Sequence, residues 1–160
     1  MAQNQKDKVV LTQEGLAALK KEYQELVEIK RPKAVKRMVE ARNMGDLTEN
    51  SEYTAARQDV AFIDKRISEL EEILRTAKVV RFSNKGKKKV TIGSQVKLDP
   101  EGERKKIIFK IVGEWEADPT KNKISTSSPL GKALIGRKVG EKVEVQAPAG
   151  KIIYKILEIK

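Results

Sequence analysis

The chain has 160 residues and a formal net charge of +11; 36% of its residues are charged and only 4% are aromatic. The length allows one ordinary domain or two small ones, and the few aromatic residues exclude a large aromatic core. The absence of Cys and His excludes disulfides and thiolate metal sites and removes the commonest general base. No apolar run approaches the ~20 residues of a membrane-spanning helix, and the first eight residues lack the apolar core of a signal peptide. We therefore expect a cytoplasmic protein without membrane contact.

The positive charge is concentrated in the second half of the chain. Residues 1–80 carry 15 Lys or Arg against 14 Asp or Glu, whereas residues 81–160 carry 19 against 9. A basic half indicates a nucleic acid or an acidic protein surface as partner. The alternative is that the charge keeps the protein soluble through like-charge repulsion.

Apolar residues in the first half recur at alternating steps of three and four. The second of two such segments keeps the pattern unbroken through Tyr53, Ala56, Val60, Ile63, Ile67, Leu70 and Leu74. The first segment contains Leu16, Leu19, Tyr23 and Leu26, and resumes at Val35 and Met38. This spacing is typical of the seam of a coiled coil. Two such helices joined by a short turn predict an antiparallel hairpin that reaches roughly 40 Å from its base.

The first predicted helix begins after Thr12, a plausible N-cap, and runs to about Met44. Pro32 interrupts it, because proline lacks an N–H and clashes with the carbonyl of Glu28, at a cost of about 3 kcal/mol in a helix interior. We expect a kink at Pro32, with the helix continuing beyond it.

Residues 45–53 (GDLTENSEY) form the predicted turn of the hairpin and carry two acids, Asp46 and Glu49. On a structural interpretation Gly45 is the C′ residue of the first helix, Asp46 or Thr48 caps the second, and Asp46 with Glu49 resembles a capping box. On a functional interpretation the two carboxylates are ligands for Mg²⁺, which often uses one or two protein carboxylates. Two acids on a tip are too few to hold the ion alone, so a second macromolecule would have to complete the site.

Two long segments resemble the signatures of one known family. Residues 45–53, followed by Ala55-Ala56-Arg57, are similar to the tip signature of the bacterial Gre transcript cleavage factors of the GreA type. Residues 124–136 (ISTSSPLGKALIG) resemble the second signature of that family. The resemblance runs nearly end to end. It implies a monomeric transcription factor that enters the secondary channel of a backtracked RNA polymerase and helps the polymerase to cleave the 3′ end of its own nascent RNA.

The resemblance also implies how the tip works. The acidic residues of the polymerase would hold one Mg²⁺, and Asp46 and Glu49 would help to hold a second Mg²⁺ jointly with the polymerase. The isolated protein would bind no cofactor. The chain would be an accessory factor and not an enzyme in its own right. Glu49 would either ligate the metal or orient the attacking water, and both roles stay open.

Three arginines flank the tip: Arg37, Arg42 and Arg57. Arginine binds phosphate through paired N–H donors, and the resembled family places basic residues at Arg42 and Arg57 in contact with the transcript. The alternative is a solvated face, or pairing with Glu40, Glu52 or Asp59 along the helices.

The predicted domains are a coiled-coil hairpin over residues 1–80, a basic linker over 81–89 and a β-rich polymerase-docking domain over 90–160. Alternating polar and apolar residues predict a small antiparallel sheet in the last of these, with one short helix capped by Ser128 and starting at Pro129. The fold class is therefore α+β, and the resemblance implies a C-terminal domain similar to the FK506-binding proteins. Ser128 and Pro129 match a family position implicated in polymerase contact.

Three other functions fit parts of the sequence. A channel-blocking inhibitor of the same architecture would bind polymerase without stimulating cleavage, although related inhibitors change the acidic tip that this chain keeps. A prolyl isomerase would need an aromatic-lined pocket, and the second half offers only Phe82, Phe109, Trp115 and Tyr154. A plain coiled-coil adaptor would leave the tip acids unused.

Overall fold

The computed structural model describes residues 9–45, 50–81 and 89–160. The chain divides into two compact units, one formed by Met1–Gly15 with Lys78–Lys160 and the other by Leu16–Ala77. Residues 9–15 thus cluster with the C-terminal unit, which the sequence did not indicate. The predicted linker over 81–89 lies outside the described residues except at its two ends. Among the described residues, no helix has both the length and the apolar character that crossing a bilayer requires.

The helical unit is the predicted antiparallel hairpin. Its helical segments are α1 (Gln13–Glu25), a π-helical turn (Leu26–Lys30), α2 (Arg31–Arg42) and α3 (Ser51–Thr76). The side chains buried along the seam are Leu19, Leu26, Ala41, Ala56, Leu70 and Ile73. Phe62, which does not belong to the predicted seam, is 75% exposed. Four of these six buried residues belong to the predicted seam, and the heptad pattern did not include Ala41 and Ile73.

A π-helical turn directly precedes Pro32, the residue at which a kink was predicted, and the helix continues beyond it as predicted. The backbone N–H of Arg31 donates to the carbonyl of Leu26, five residues earlier, and Pro32 occupies the start of α2. A helix start tolerates proline because the N–H there has no intrahelical partner. One wider turn therefore lets the helix continue past the proline.

The C-terminal unit contains a five-stranded sheet in the order β5-β4-β3-β7-β6. The strands are β3 (Gln95–Pro100), β4 (Ile107–Val112), β5 (Lys123–Ser125), β6 (Lys142–Ala147) and β7 (Gly150–Ile159). Neighbouring strands are antiparallel except for β4 and β5, which are parallel with Lys110 opposite Lys123. The prediction of an all-antiparallel sheet was wrong at this one pair.

The parallel pair is made possible by the connection between β4 and β5. Residues 113–122 include two short 3₁₀ turns, Glu114–Glu116 and Pro119–Lys121. The second turn is capped by the side chain of Asp118 and ends at Asn122, which has a φ of 53°. These turns bring the chain back beside Lys110, so that β5 can pair in parallel with the last three residues of β4.

One apolar core fills the C-terminal unit. It consists of Val90, Val96, Leu98, Ile111, Leu134, Val143 and Ile156, with Phe109 and Tyr154 packed at its edge. Leu134 comes from α4 (Pro129–Leu134), the only α-helix among the described residues after α3. The core is aliphatic, as the low aromatic content predicts.

A second, two-stranded sheet was not predicted. Its strands are β1 (Val10–Leu11) and β2 (Lys78–Val79), which pair in parallel. The backbone N–H of Lys78 donates to Val9 O at 2.7 Å, and that of Val80 to Leu11 O at 3.0 Å. The segments before α1 and after α3 therefore lie side by side in the C-terminal unit.

Candidate functional site

The two predicted tip acids, Asp46 and Glu49, lie outside the described residues, as does Thr48. The chain is described up to Gly45 on one side and from Asn50 on the other. Helix α2 ends at Arg42 with Asn43 as its C-cap, and Gly45 has a φ of 148°. Gly45 thus supplies the positive φ that was predicted, one residue later than the C′ position.

Asn50 is the N-cap of α3, so the prediction that Asp46 or Thr48 caps this helix was wrong. Its side-chain oxygen accepts a hydrogen bond from the backbone N–H of Tyr53 at 3.0 Å. Because α3 begins at Ser51, only the residue directly before it can take the N-cap position. The two acids are therefore not needed to start the helix.

The same Asn50 side chain also contacts the end of the other helix. Its amide nitrogen donates to the carbonyl oxygen of Ala41 at 2.6 Å, and Ala41 is only 2% exposed. The same carbonyl also accepts from the backbone N–H of Met44 at 3.2 Å, so Asn50 adds a second donor at the end of α2. Sequence reasoning missed Asn50, although asparagine is among the best N-cap residues.

Arg37 is engaged in ion pairs within the hairpin. Its Nε donates to Glu52 at 2.7 Å, and its Nη1 to Asp59 at 2.8 Å. The hydrogen bond that Arg37 donates to Glu52, followed by the charge of Glu52, raises the pKa of Arg37 above the ordinary arginine value. Arg37 therefore pairs with Glu52 and Asp59, two of the three acidic partners that the sequence suggested.

Arg42 and Arg57 differ from Arg37. Arg42 is the last residue of α2, and Arg57 follows the buried Ala56 in α3. Both are exposed, and neither has an acidic partner within residues 9–45, 50–81 and 89–160. Their guanidinium groups are thus available to a ligand from outside the described part of the chain.

Further from the tip, arginines join the two helices to each other. Arg66 binds both carboxylate oxygens of Glu22, at 2.7 and 3.0 Å. Arg31 binds those of Asp64 at 2.6 and 3.3 Å. Bidentate pairs of this kind fix orientation as well as distance, so they hold the helices of the hairpin in register.

Ser128 is the N-cap of α4, as predicted. Its hydroxyl oxygen accepts from the backbone N–H of Gly131 at 3.0 Å, and its O–H donates to the carbonyl of Ser125 at 2.7 Å. Pro129 follows as the exposed first residue of α4. The capping geometry accounts for both residue types, and their contact with polymerase stays a prediction.

No group of three or more acidic side chains that could hold a metal ion occurs within the described ranges. The donors proposed for Mg²⁺, Asp46 and Glu49, lie between those ranges. Carboxylate oxygens are the ligands that this hard cation prefers, so the donor chemistry of the tip loop suits Mg²⁺.

Both halves of the chain match models of one family. The N-terminal transcription elongation factor model matches residues 9–79, and the C-terminal GreA/GreB transcription elongation factor model matches residues 85–160. A transcription elongation factor GreA from Caldanaerobacter subterraneus subsp. tengcongensis is 47% identical over 152 residues, which cover 95% of this chain and 97% of that protein. The GreA of Rhodospirillum rubrum is 40% identical over 154 residues, with 96% and 98% covered.

Among solved structures, the crystal structure of GreA factor homolog 1 (Gfh1) of Thermus thermophilus is 31% identical to this chain. The two overlap over 96% and 99% of their lengths with a TM-score of 0.44. The family assignment follows from the two family models and the full-length relatives. The chain belongs to the GreA/GreB family of transcription elongation factors, and within it to the GreA type.

Proposed function

We propose that this chain is a transcript cleavage factor, which binds a backtracked RNA polymerase and stimulates the polymerase to cleave its own nascent RNA. The observation that carries the proposal is the alignment with proteins named transcription elongation factor GreA, which extends over 95% of the chain. The alignment includes both the hairpin and the C-terminal sheet, so it covers both structural elements that the proposed function uses.

The two units have different roles in this function. The C-terminal unit contains most of the excess positive charge and the Ser128–Pro129 start of α4, and it docks at the mouth of the secondary channel. The hairpin enters the channel. Its cross-helix ion pairs, such as Arg66 with Glu22, favour a stiff probe, which a residue at the tip needs in order to act at a fixed depth.

At the tip, Asp46 and Glu49 add two carboxylates to those of the polymerase. When bound, Mg²⁺ lowers the pKa of a coordinated water and makes it a better nucleophile toward the RNA phosphate. Asn50 holds together the two helix ends from which the tip loop starts and returns. The exposed Arg42 and Arg57 bind phosphates of the displaced RNA 3′ end. The chain supplies part of a site that the polymerase completes, and it acts as an accessory factor.

The direct experiment uses a purified polymerase complex that has been stalled and backtracked, with the RNA labelled at its 5′ end. Addition of the protein with Mg²⁺ should shorten the labelled RNA and let the complex resume elongation when nucleotides are added. The protein incubated with the same RNA in the absence of polymerase should leave it intact. If the RNA keeps its length while elongation slows, the chain is a channel-blocking inhibitor and the proposal is wrong.

A further inference from the structure

An apolar groove lies on one side of the hairpin, between α2 and α3. Ala34 of α2 and Phe62 and Ile63 of α3 supply its apolar lining, and its volume is about 410 Å³. Phe62 is 75% exposed, whereas the two tyrosines of the hairpin, Tyr23 and Tyr53, are half-buried. The groove therefore presents an aromatic ring that the hairpin itself does not bury.

The surroundings of Phe62 distinguish it from a scattered surface residue. A single exposed apolar side chain on a protein surface needs no explanation. Phe62, however, borders a concave apolar surface, and the charged side chains that line the same groove are Lys30, Lys33, Arg37 and Asp59. Aromatic side chains within a polar rim are frequent anchors of protein–protein contacts. The shape and the lining of the groove thus indicate a binding surface.

The charges around the groove are nearly balanced. Arg37 is bonded to two carboxylates of α3, and Nζ of Lys30 lies 3.2 Å from the carboxylate of Glu25. Lys33 has no acidic partner in the described part of the hairpin. A polyanion such as RNA is bound through several free cations, and this groove offers one. An apolar protein side chain with one neighbouring carboxylate therefore matches the groove better than RNA does.

The groove lies on the other side of α3 from Arg57, one of the arginines assigned to RNA. Arg57 directly follows the buried Ala56, and Phe62 directly precedes Ile63 of the predicted seam. Their side chains are about 140° apart around the helix axis, because a helix has 3.6 residues per turn. A protein segment at Phe62 can therefore be bound at the same time as RNA at Arg57.

We propose that this groove is a binding site for the wall of the polymerase secondary channel: an apolar side chain of the polymerase packs against Phe62, and a carboxylate beside it pairs with Lys33. The inference rests on the proposed function, in which the hairpin enters that channel. A hairpin inside a channel is enclosed by protein, so its exposed apolar surface meets the wall. The contact increases the affinity for polymerase and takes no part in the chemistry at the tip.

The test measures two quantities with the full chain: its affinity for core polymerase that carries no RNA, and the cleavage of backtracked RNA over a range of protein concentrations. Phe62→Ala should weaken binding about thirtyfold, which is about 2 kcal/mol at 1.4 kcal/mol per tenfold and typical of a lost interface anchor. The concentration that gives half-maximal cleavage should rise by a similar factor, while the maximal rate stays near that of the wild type. Phe62→Leu keeps an apolar side chain and should retain most of the affinity.

Val39→Ala is the matched control. Val39 is an apolar residue of α2 that is 47% exposed and does not line the groove, so Val39→Ala should bind polymerase as the wild type does. Both side chains are exposed in the free protein, and neither substitution should change thermal melting. Wild-type affinity in Phe62→Ala, or an equal loss in Val39→Ala, would overturn the inference.

Lys33→Glu tests the charge beside the groove. It should weaken binding to polymerase more than Lys21→Glu does, which makes the same change of charge at an exposed position of α1. Equal losses in the two variants would contradict the pairing of Lys33 with a carboxylate of the polymerase.

The same measurements recognise two other occupants of the groove. If Phe62→Ala loses affinity only when the polymerase holds backtracked RNA, the groove binds RNA and the inference is wrong. It is also wrong if sedimentation shows a wild-type dimer that Phe62→Ala dissociates, since the groove then joins two copies of this chain.

Failure of the inference can be told apart from failure of the proposed function. If the wild type binds polymerase but leaves the RNA uncut, the proposed function fails, and the affinities of Phe62→Ala and Val39→Ala still decide the role of the groove. If Phe62→Ala binds normally while the wild type stimulates cleavage, only the inference fails. A wild type that does not bind polymerase contradicts both.

Discussion

The side-chain amide of Asn50 donates a hydrogen bond to the carbonyl of Ala41 at 2.6 Å. The oxygen of the same amide accepts from the N–H of Tyr53 at 3.0 Å. One side chain therefore hydrogen-bonds to the C-terminal end of α2 and caps the N-terminal end of α3. The chain thus leaves α2 and enters α3 at two helix ends that are hydrogen-bonded to each other.

Loss of Asn50 should destabilise the hairpin. Asn50→Ala removes the cap, which costs about 0.5–2 kcal/mol, and removes one of two donors to the carbonyl of Ala41, which costs about 0.5–1.5 kcal/mol. The N–H of Met44 still donates to that carbonyl. Asn50→Ser keeps an oxygen that can cap α3 but loses the donor to Ala41, so its loss should be smaller. Urea unfolding followed by helical circular dichroism measures both. Ser51→Ala, at the exposed neighbouring position, is the control; equal stabilities of all four proteins would contradict the role given to Asn50.

The three tip arginines should separate into two groups. Arg57→Ala and Arg42→Ala should weaken crosslinking to RNA in the backtracked complex and reduce cleavage, because each removes an exposed cation that has no acidic partner in the described ranges. Arg37→Ala should affect crosslinking less, since Arg37 is already paired with Glu52 and Asp59.

The salt dependence of cleavage checks this separation. A variant that has lost a phosphate contact should respond less steeply to added salt than the wild type does. Arg57→Ala should therefore show the shallower slope, and Arg37→Ala should keep a slope close to that of the wild type. If Arg57→Ala has normal activity and the same salt dependence as the wild type, Arg57 is a solvated surface residue that does not contact the RNA.

The ion pair of Glu14 should make part of the stability depend on pH. The hydrogen bond from Lys110, with a further attraction from Lys123, lowers the pKa of the Glu14 carboxyl below its ordinary value of 4.5. A group whose pKa is lower in the folded state stabilises the fold at pH values above its unfolded pKa, and this contribution is lost as the pH falls through the folded pKa. The stability gap between the wild type and Glu14→Gln should thus be present at neutral pH and disappear in acid. Thermal melts at both pH values measure it, with Glu114→Gln as control; a gap that persists in acid would exclude the ion pair as its cause.

Local patterns predicted most of the architecture. The heptad spacing identified the hairpin and most of its buried face, and the alternation of polar and apolar residues located the strands of the sheet. Both patterns work because the side chains that face the core repeat with the period of the backbone. The cap at Ser128 was also predictable, since serine, proline and glycine follow one another at fixed offsets.

The features that the sequence did not predict depend on contacts between distant residues or on a choice among equivalent ones. The bond between Thr12 and Glu116 joins residues 104 positions apart, and the parallel pairing of β4 with β5 depends on how the intervening loop folds. At the tip, Asp46, Thr48 and Asn50 are all good N-caps, so composition could not choose between them. Of the candidate site, the capping residues are now assigned, and the metal-binding roles of Asp46 and Glu49 stay predictions.

The central claim is that Asp46 and Glu49 serve the chemistry and not the fold. Because Asn50 caps α3, Asp46→Asn and Glu49→Gln leave the cap in place, and both keep the size of the side chain. A neutral amide is a weaker magnesium ligand than a carboxylate, so a loss of activity in these variants reports on metal binding.

The decisive measurement is the rate of stimulated RNA cleavage by these two variants in backtracked polymerase complexes at limiting Mg²⁺, alongside thermal melting and competition for polymerase. The account predicts that either substitution greatly reduces cleavage, that raised Mg²⁺ partly restores it, and that melting and competition stay near those of the wild type. Normal cleavage by both variants at limiting Mg²⁺ would contradict it.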